Sequence, residues 1–398
     1  MDDRRARGGL PGEVWALLKG NIRNYAMYLA LLALFILFTL LTDGAFITAR
    51  NLTNLINQTG YVAVMACGMT LVLIIQQIDL SIGYVAGFLG ACAATLLSRG
   101  VAVPLVLPLI LLAGIAIGSL EGLIIGKVGV PAFVTTLACQ FIFRGMLSLV
   151  TESTGTILVK SDAFNQISNG FLPPVFRMGP MHGLSLVVGA LSIALIVWSR
   201  LRARRDLKKY RFRTTSAPVF WATLLLFAAV IGVLSYVLAN YRGVSWTIVV
   251  VVLVAFVYDF MMRRTRLGRH IYGMGGNREA ALLSGVDTQR ILLFVFASMG
   301  MLAGLGGVLF TSRLQSATPT AGSGFELDAI ASCYIGGVST SGGIGKVTNS
   351  IIGAFVIMSL TNGLNLMGVG ITYQYVIKGI IFILAVAFDV RSRAKKAI

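Results

Sequence analysis

Long apolar runs separated by short polar joins make up most of this chain. A helix needs about 20 consecutive apolar residues to cross roughly 30 Å of hydrocarbon, and about twelve runs reach or approach that length. We place the predicted spans near 25–42, 60–78, 82–98, 102–126, 131–151, 183–198, 218–239, 244–262, 290–311, 327–343, 347–366 and 374–390. The pattern predicts an all-α integral membrane protein, a polytopic bundle of about 10–12 transmembrane helices.

Two of these runs differ from the others in composition. The segments near 78–83 and 326–345 are rich in glycine and serine, and both contain carboxylates. Irregular backbone is tolerated at membrane depth only where it is buried in protein or lines a cavity. We therefore predict broken or re-entrant helices at both places.

Composition excludes a water-soluble fold. Of the 398 residues, 57% are hydrophobic and only 12% are charged, with a mean hydropathy of +0.85. A soluble domain has roughly a quarter of its residues charged. The net charge of +18 raises nucleic acid as a partner, but the basic residues flank the apolar runs, where they set membrane orientation. The predicted partner is the lipid bilayer, and we expect no nucleic acid.

The positions of the basic residues predict the orientation. If the N-terminus lies inside, the Arg/Lys-rich segments 1–24, 199–217, 263–289 and 391–398 all fall on the cytoplasmic side, which carries the positive excess. The opposite loops have scattered single cations. We therefore predict a cytoplasmic segment 1–24, one transmembrane domain over 25–390 and a cytoplasmic tail 391–398. No cleavable signal peptide is expected.

One cytoplasmic loop, within 263–289, contains the signals of a short capped helix. Asn277 is a good N-cap, Glu279 lies in the first turn where a negative charge meets the helix dipole, and Ala280 and Ala281 favour helix. Gly285 can adopt the left-handed conformation that ends a helix. Such a helix is either a docking element for a partner protein or a simple surface turn.

The same loop carries a resemblance to a known family. Glu279-Ala280-Ala281, with Gly285 four residues after Ala281, resembles the EAA loop of binding-protein-dependent ABC importer permeases. Stretches similar to the monosaccharide subgroup follow in the same order as in that family: Ile78–Gly83, Val130–Leu137, Phe141–Gly145, Gly324–Ala331, Ile335–Ser339, Asn362–Leu366 and Gln374–Gly379. The resemblance covers roughly residues 45–390.

Within this subgroup the chain most resembles the D-xylose-type permeases. Those members share an insertion like that at 183–239, which adds two spans and the basic cytoplasmic loop 199–217. Two added spans keep the sidedness of everything that follows. The chain departs from the family pattern at Glu121, where asparagine is usual, and at Thr348-Asn349-Ser350.

The resemblance implies a non-enzymatic transport subunit of a bacterial inner membrane that works by alternating access. Two permease copies would form the pore, a sugar-binding protein would deliver substrate outside, and a cytoplasmic ABC ATPase would bind ATP-Mg and dock on the coupling loop. No cofactor or metal is expected on this chain. The coupling residues would be Gly275, Gly276, Asn277, Glu279, Ala280, Ala281, Ser284 and Gly285.

Polar side chains inside the spans are costly and are therefore functional candidates. The candidates for the pathway or the helix breaks are Asp79, Ser81, Glu121, Gln140, Arg144, Glu326, Asp328, Asn362, Asn365 and Gln374. The alternative is that these residues neutralise one another or cap the broken helices. A phosphate-loop look-alike over 342–348 fails the GxxxxGK[ST] spacing, so ATP is expected on a partner.

Two rival functions stay open. An ion-coupled secondary transporter would use the intramembrane carboxylates as proton or sodium sites, but no matching interrupted helices occur in two halves of the chain. A signalling or structural membrane protein would not need so many polar residues in its spans. Dependence on a separate ATPase discriminates among the three.

Overall fold

Apolar helices dominate the structure, a computed structural model that describes residues 22–152, 155–179, 181–210, 212, 214 and 216–394. Most of the predicted segment 1–24 and half of the predicted tail 391–398 lie outside the described residues.

The described chain forms fifteen α-helices and four two-residue strands. In chain order the helices are α1 Ile22–Leu41, α2 Ala49–Ile74, α3 Ile82–Ser98, α4 Val103–Leu123, α5 Ala132–Thr151, α6 Asp162–Asn169, α7 Gly183–Lys209, α8 Ala217–Ala239, α9 Trp246–Arg264, α10 Arg266–Gly276, α11 Arg278–Leu283, α12 Thr288–Leu314, α13 Phe325–Ile335, α14 Val347–Leu366 and α15 Ile371–Ala394. The strands are β1 Ile157–Leu158, β2 Arg177–Met178, β3 Met181–His182 and β4 Ser316–Ala317. β1 pairs antiparallel with β4, and β2 with β3.

Membrane-spanning length is common among these helices. In the part of the chain that the structure describes, eight helices are long and apolar enough to cross a bilayer, and shorter apolar helices occur at Met27–Leu41, Ile82–Ser98 and Ile371–Leu384. These helices match eleven of the predicted spans. The polytopic all-α prediction is confirmed.

The remaining predicted span, 327–343, is wrong as a continuous helix. The broken helix predicted near 326–345 is confirmed. α13 ends at Ile335, and residues 336–346 are non-helical. Gly337, Gly342 and Gly343 have φ of 85°, 73° and 67°, a left-handed backbone that interrupts a right-handed helix. Another break separates α2 from α3 over residues 75–81, as the sequence predicted. In chain order we call residues 75–81 the first break and residues 336–346 the second break.

Two predicted boundaries need correction. The span placed at 60–78 is α2, which begins at Ala49 because the Thr48 side chain caps it by accepting from the Asn51 amide. The predicted basic loop 199–217 is helical up to Lys209, because arginine, alanine, leucine and lysine favour helix whether or not lipid surrounds them.

The contacts divide the described residues into two compact units. The smaller unit groups 22–25 with 171–245 and contains the α7–α8 hairpin, in which Gly189 packs against Ser235. The larger unit comprises residues 26–170 and 246–394. The segment 183–239, identified as an insertion from sequence, lies entirely in the smaller unit, and the predicted domain bounds stay predictions.

In the larger unit, the backbones of α4 and α12 approach each other closely. Gly114 and Gly118 on α4 face Gly300 and Phe296 on α12, and a Cβ atom added at Gly300 would overlap the carbonyl oxygen of Gly114. Small residues let helix backbones touch where lipid supplies no hydrophobic force between helices. α4 then ends in a π-helical turn, Ile124–Val128.

Replacing Gly300 by valine is expected to destabilise the protein, because the new side chain would meet the α4 backbone. Overpacked cores lose roughly 1–3 kcal/mol of unfolding free energy. The measurement is thermal unfolding of the detergent-solubilised protein, followed by size-exclusion chromatography. Gly232→Val on α8 is the control, since a Cβ there meets nothing within 4 Å. Equal midpoints for the two variants would contradict the assigned packing.

Candidate functional site

The break between α2 and α3 carries a buried carboxylate that organises the local backbone. Asp79 is 1% exposed. Its Oδ1 accepts from the Ser81 amide at 2.9 Å and from the Ser81 hydroxyl at 2.7 Å. The first of these bonds satisfies a backbone amide that the missing helical turn leaves open at the start of α3, and the second fixes the Ser81 side chain.

Three buried carboxylates from different elements interact here. Asp79 from the break, Glu121 from α4 and Glu326 from α13 are 1%, 2% and 6% exposed, and Asp79 lies close enough to act electrostatically on each of the other two. Gln140 on α5 donates to Glu326 Oε1 at 3.4 Å. Within the described residues, Glu121 Oε1 and Glu326 Oε2 have no hydrogen-bond partner. We call Asp79, Glu121 and Glu326 the acid cluster.

The acid cluster connects the first break to the start of α13. In the described part of the chain, no group of three or more His, Cys, Asp or Glu side chains is arranged to hold a metal ion. Asp79 belongs to residues 75–81, and Glu326 lies in the first turn of α13, at the end of that helix opposite to the second break.

The other predicted pathway residues lie in separate pairs that join helices. Lys378 Nζ on α15 lies 3.0 and 3.1 Å from the Asp328 carboxylate oxygens on α13. Asn362 exchanges two hydrogen bonds with Asn51, at 2.8 and 3.1 Å. Gln374 donates to Asn365 at 2.7 Å. Arg144 is exposed on α5, with its guanidinium 5.8 Å from the Tyr84 ring centroid.

The predicted short helix between spans is present as α11. Asn277 Oδ1 accepts from the Ala280 amide at 2.9 Å, and Gly285 has φ of 79°. Both capping signals are therefore realised. The helix presents Leu282 and Leu283, which are 60% and 89% exposed.

The preceding helix, α10, is bound to the second break. The Tyr272 hydroxyl donates to the Gly345 carbonyl at 2.7 Å. Burial raises the pKa of Tyr272, so the phenol stays protonated and keeps this bond. This bond connects α10 to residues 336–346.

A residue that sequence reasoning missed makes the second link. Gln76, in the first break, donates from Nε2 to the Gly275 carbonyl at 2.9 Å and to the Ser341 carbonyl at 2.8 Å. The polar pair Gln76-Gln77 at the end of a long apolar run was the available signal. Its partners could not be inferred, because they lie 199 and 265 residues further along the chain.

A cavity lies beside this link. It measures about 450 Å³ and is lined by Gln76–Ile78 of the first break, by the π-helical turn, by 129–133 before and in α5, and by Arg278 of α11. The first break therefore borders open space on one side and α10–α11 on the other.

Comparisons with known proteins match nearly the whole chain. Residues 51–386 match the family described as "Branched-chain amino acid transport system / permease component". The chain is 36% identical over 370 residues to the "Xylose transport system permease protein XylH" of Escherichia coli strain K12, covering 93% of this chain and 92% of that protein.

Two further relatives show the same breadth. The Haemophilus influenzae protein of the same name is 34% identical over 377 residues, or 94% of this chain and 98% of that protein. The "Ribose import permease protein RbsC" of E. coli strain K12 is 33% identical over 361 residues, or 91% of this chain and 92% of that protein. No solved structure matches the chain.

Proposed function

This chain belongs to the family of branched-chain amino acid transport system permease components, and we propose from that premise that it is the membrane subunit of a binding-protein-dependent monosaccharide importer. The observation that carries the proposal is similarity along 93% of the chain to a xylose transport permease. D-xylose or a related monosaccharide is the proposed substrate. The chain catalyses no reaction itself.

The geometry of α10–α11 supports one of the proposed partners. A helix with two exposed leucines and a fixed N-cap suits a groove on a second protein. We propose that a cytoplasmic ABC ATPase, which binds ATP-Mg, docks there. An external sugar-binding protein would deliver substrate, and a second copy of this chain would complete the pore. In this arrangement both termini face the cytoplasm of a bacterial cell with the chain in its inner membrane.

The proposed cycle is alternating access. Closure of the ATPase subunits would move α11, and the two breaks would change the side of the membrane on which the pathway opens. A ligand shifts such an equilibrium only through different affinities for the two states. A permease that binds sugar weakly and is supplied by a tight binding protein satisfies that requirement.

A second candidate function is favoured by one specific observation, the acid cluster. Three buried carboxylates that interact with one another are the kind of group that an ion-coupled transporter uses. In that case a proton or sodium gradient, and not an ATPase, would drive transport of the substrate.

The discriminating experiment is labelled-xylose uptake into sealed vesicles that contain this chain, with the ATPase and the binding protein added or omitted. We expect uptake to require ATP and both partners and to survive an uncoupler. Uptake by the chain alone, abolished by the uncoupler, would overturn the importer and favour the ion-coupled function.

A further inference from the structure

Three segments of the larger unit meet at one side chain. The amide of Gln76 has two N–H donors, and both are used, one by Gly275 at the end of α10 and one by Ser341 in the second break. Gln76 itself lies in the first break and has φ of 60°, a left-handed conformation that a non-glycine residue rarely adopts. The backbone is thus turned so that this side chain reaches both carbonyls.

The surrounding backbone is packed too closely for the segments to be independent. The Gly343 amide donates to the Ile74 carbonyl at 2.9 Å. A Cβ atom added at Gly275 would overlap that same Ile74 carbonyl, and one added at Gly342 would overlap the Gln76 side chain. Only glycine lets the three backbones approach this closely.

Each of the three segments is continuous with a different helix of the proposed transporter. Gly275 precedes the Asn277 cap of α11, residues 76–81 lead to Asp79 and α3, and Ser341 follows α13, which carries Glu326. The donors on Gln76 therefore bond the first break directly to α10 and to the second break. Tyr272, which binds Gly345, couples α10 to the second break alone.

We propose that Gln76 is the positioning residue that passes movement of α10–α11 to the two breaks, so that ATP hydrolysis on the partner is converted into opening of the pathway. This rests on the proposed importer function. The competing explanation is a purely structural role, in which Gln76 only stabilises the resting structure.

The test compares neighbouring glutamines. Gln76→Glu keeps the shape of the side chain. It replaces the amide N–H donors, which face two carbonyl oxygens, with a carboxylate oxygen that only accepts hydrogen bonds. Gln76→Met keeps the length without charge or donors, in case the carboxylate prevents folding. Gln77→Met is the matched control, because Gln77 lies in the same break and the only described hydrogen bond of its side chain is a long one, 3.5 Å, to the nearby Ile75 carbonyl.

ATP hydrolysis and labelled-xylose uptake are measured in the same vesicles, with ATPase and binding protein present. We expect the sugar imported per ATP to fall about tenfold in both Gln76 variants, as two hydrogen bonds are lost, while hydrolysis stays near that of the unmodified protein. Gln77→Met should keep the unmodified ratio.

Two results overturn the proposal. If uptake and hydrolysis fall together, so that the sugar imported per ATP is constant, Gln76 has a purely structural role. An unchanged ratio in both Gln76 variants means that it transmits nothing. Failure of the importer proposal is read separately, because it appears in the unmodified protein as uptake that needs no ATP.

Discussion

Replacing Leu283 by aspartate is expected to abolish ATP-driven import while the chain still inserts in the membrane. Leu283 is 89% exposed on α11, a helix of six residues held at its start by Asn277. Leu283 and its exposed neighbour Leu282 give this helix an apolar face of the kind that docks in a groove on a partner. Loss of a central anchor costs about 2 kcal/mol or more, a roughly 30-fold loss of affinity, and a buried carboxylate adds a desolvation cost.

The measurement is co-purification of the ATPase with this chain, together with sugar uptake in vesicles. Leu283→Met is the control, because it keeps an apolar side chain of similar volume. Full uptake by the aspartate variant would show that α11 is a surface turn and that the ATPase docks elsewhere.

Replacing Lys378 by methionine is expected to be the most destabilising single change on the α13–α15 contact. Lys378 and Asp328 are 21% and 12% exposed at their side chains, and the ammonium bonds both carboxylate oxygens. Removal of one partner leaves a buried charge without compensation, at a cost of roughly 3–5 kcal/mol. Thermal unfolding in detergent, with uptake as a second readout, measures the loss.

Two comparisons make this result specific. The double variant Asp328→Asn with Lys378→Met removes both charges and is expected to recover most of the stability. Arg263→Met breaks a more exposed pair with Asp259, 51% and 26% exposed, and should cost no more than about 1 kcal/mol. If the single Lys378 variant is as stable as the double variant, Asp328 does not need its partner.

Hydropathy and local signals were sufficient for much of this fold. The apolar runs located the helices because a segment in lipid must satisfy its backbone hydrogen bonds within its own helix. Each helix is therefore indicated by the residues of its own segment. The N-cap at Asn277 and the left-handed Gly285 were equally local, so α11 was predicted residue by residue. The glycines at 336–345 and the polar residues Asp79 and Ser81 indicated the two breaks in the same local way.

The remaining features depend on partners that are distant in sequence. The first turns of α2 contain Asn51 and Asn57, which hydropathy rejects from a span, yet Asn51 is buried because Asn362 pairs with it 311 residues away. The acid cluster and the two bonds of Gln76 likewise join segments far apart. Single-sequence reasoning identified candidate polar residues without showing which of them meet.

The glycine contact between α4 and α12 has a mechanical consequence. Packed helices slide past each other by small rearrangements of the side-chain layer between them. Where Gly114 and Gly300 meet, that layer is absent and carbonyl oxygens face neighbouring backbone directly. We therefore expect these two helices to move together as one rigid pair. The shorter, interrupted elements would then move relative to that pair.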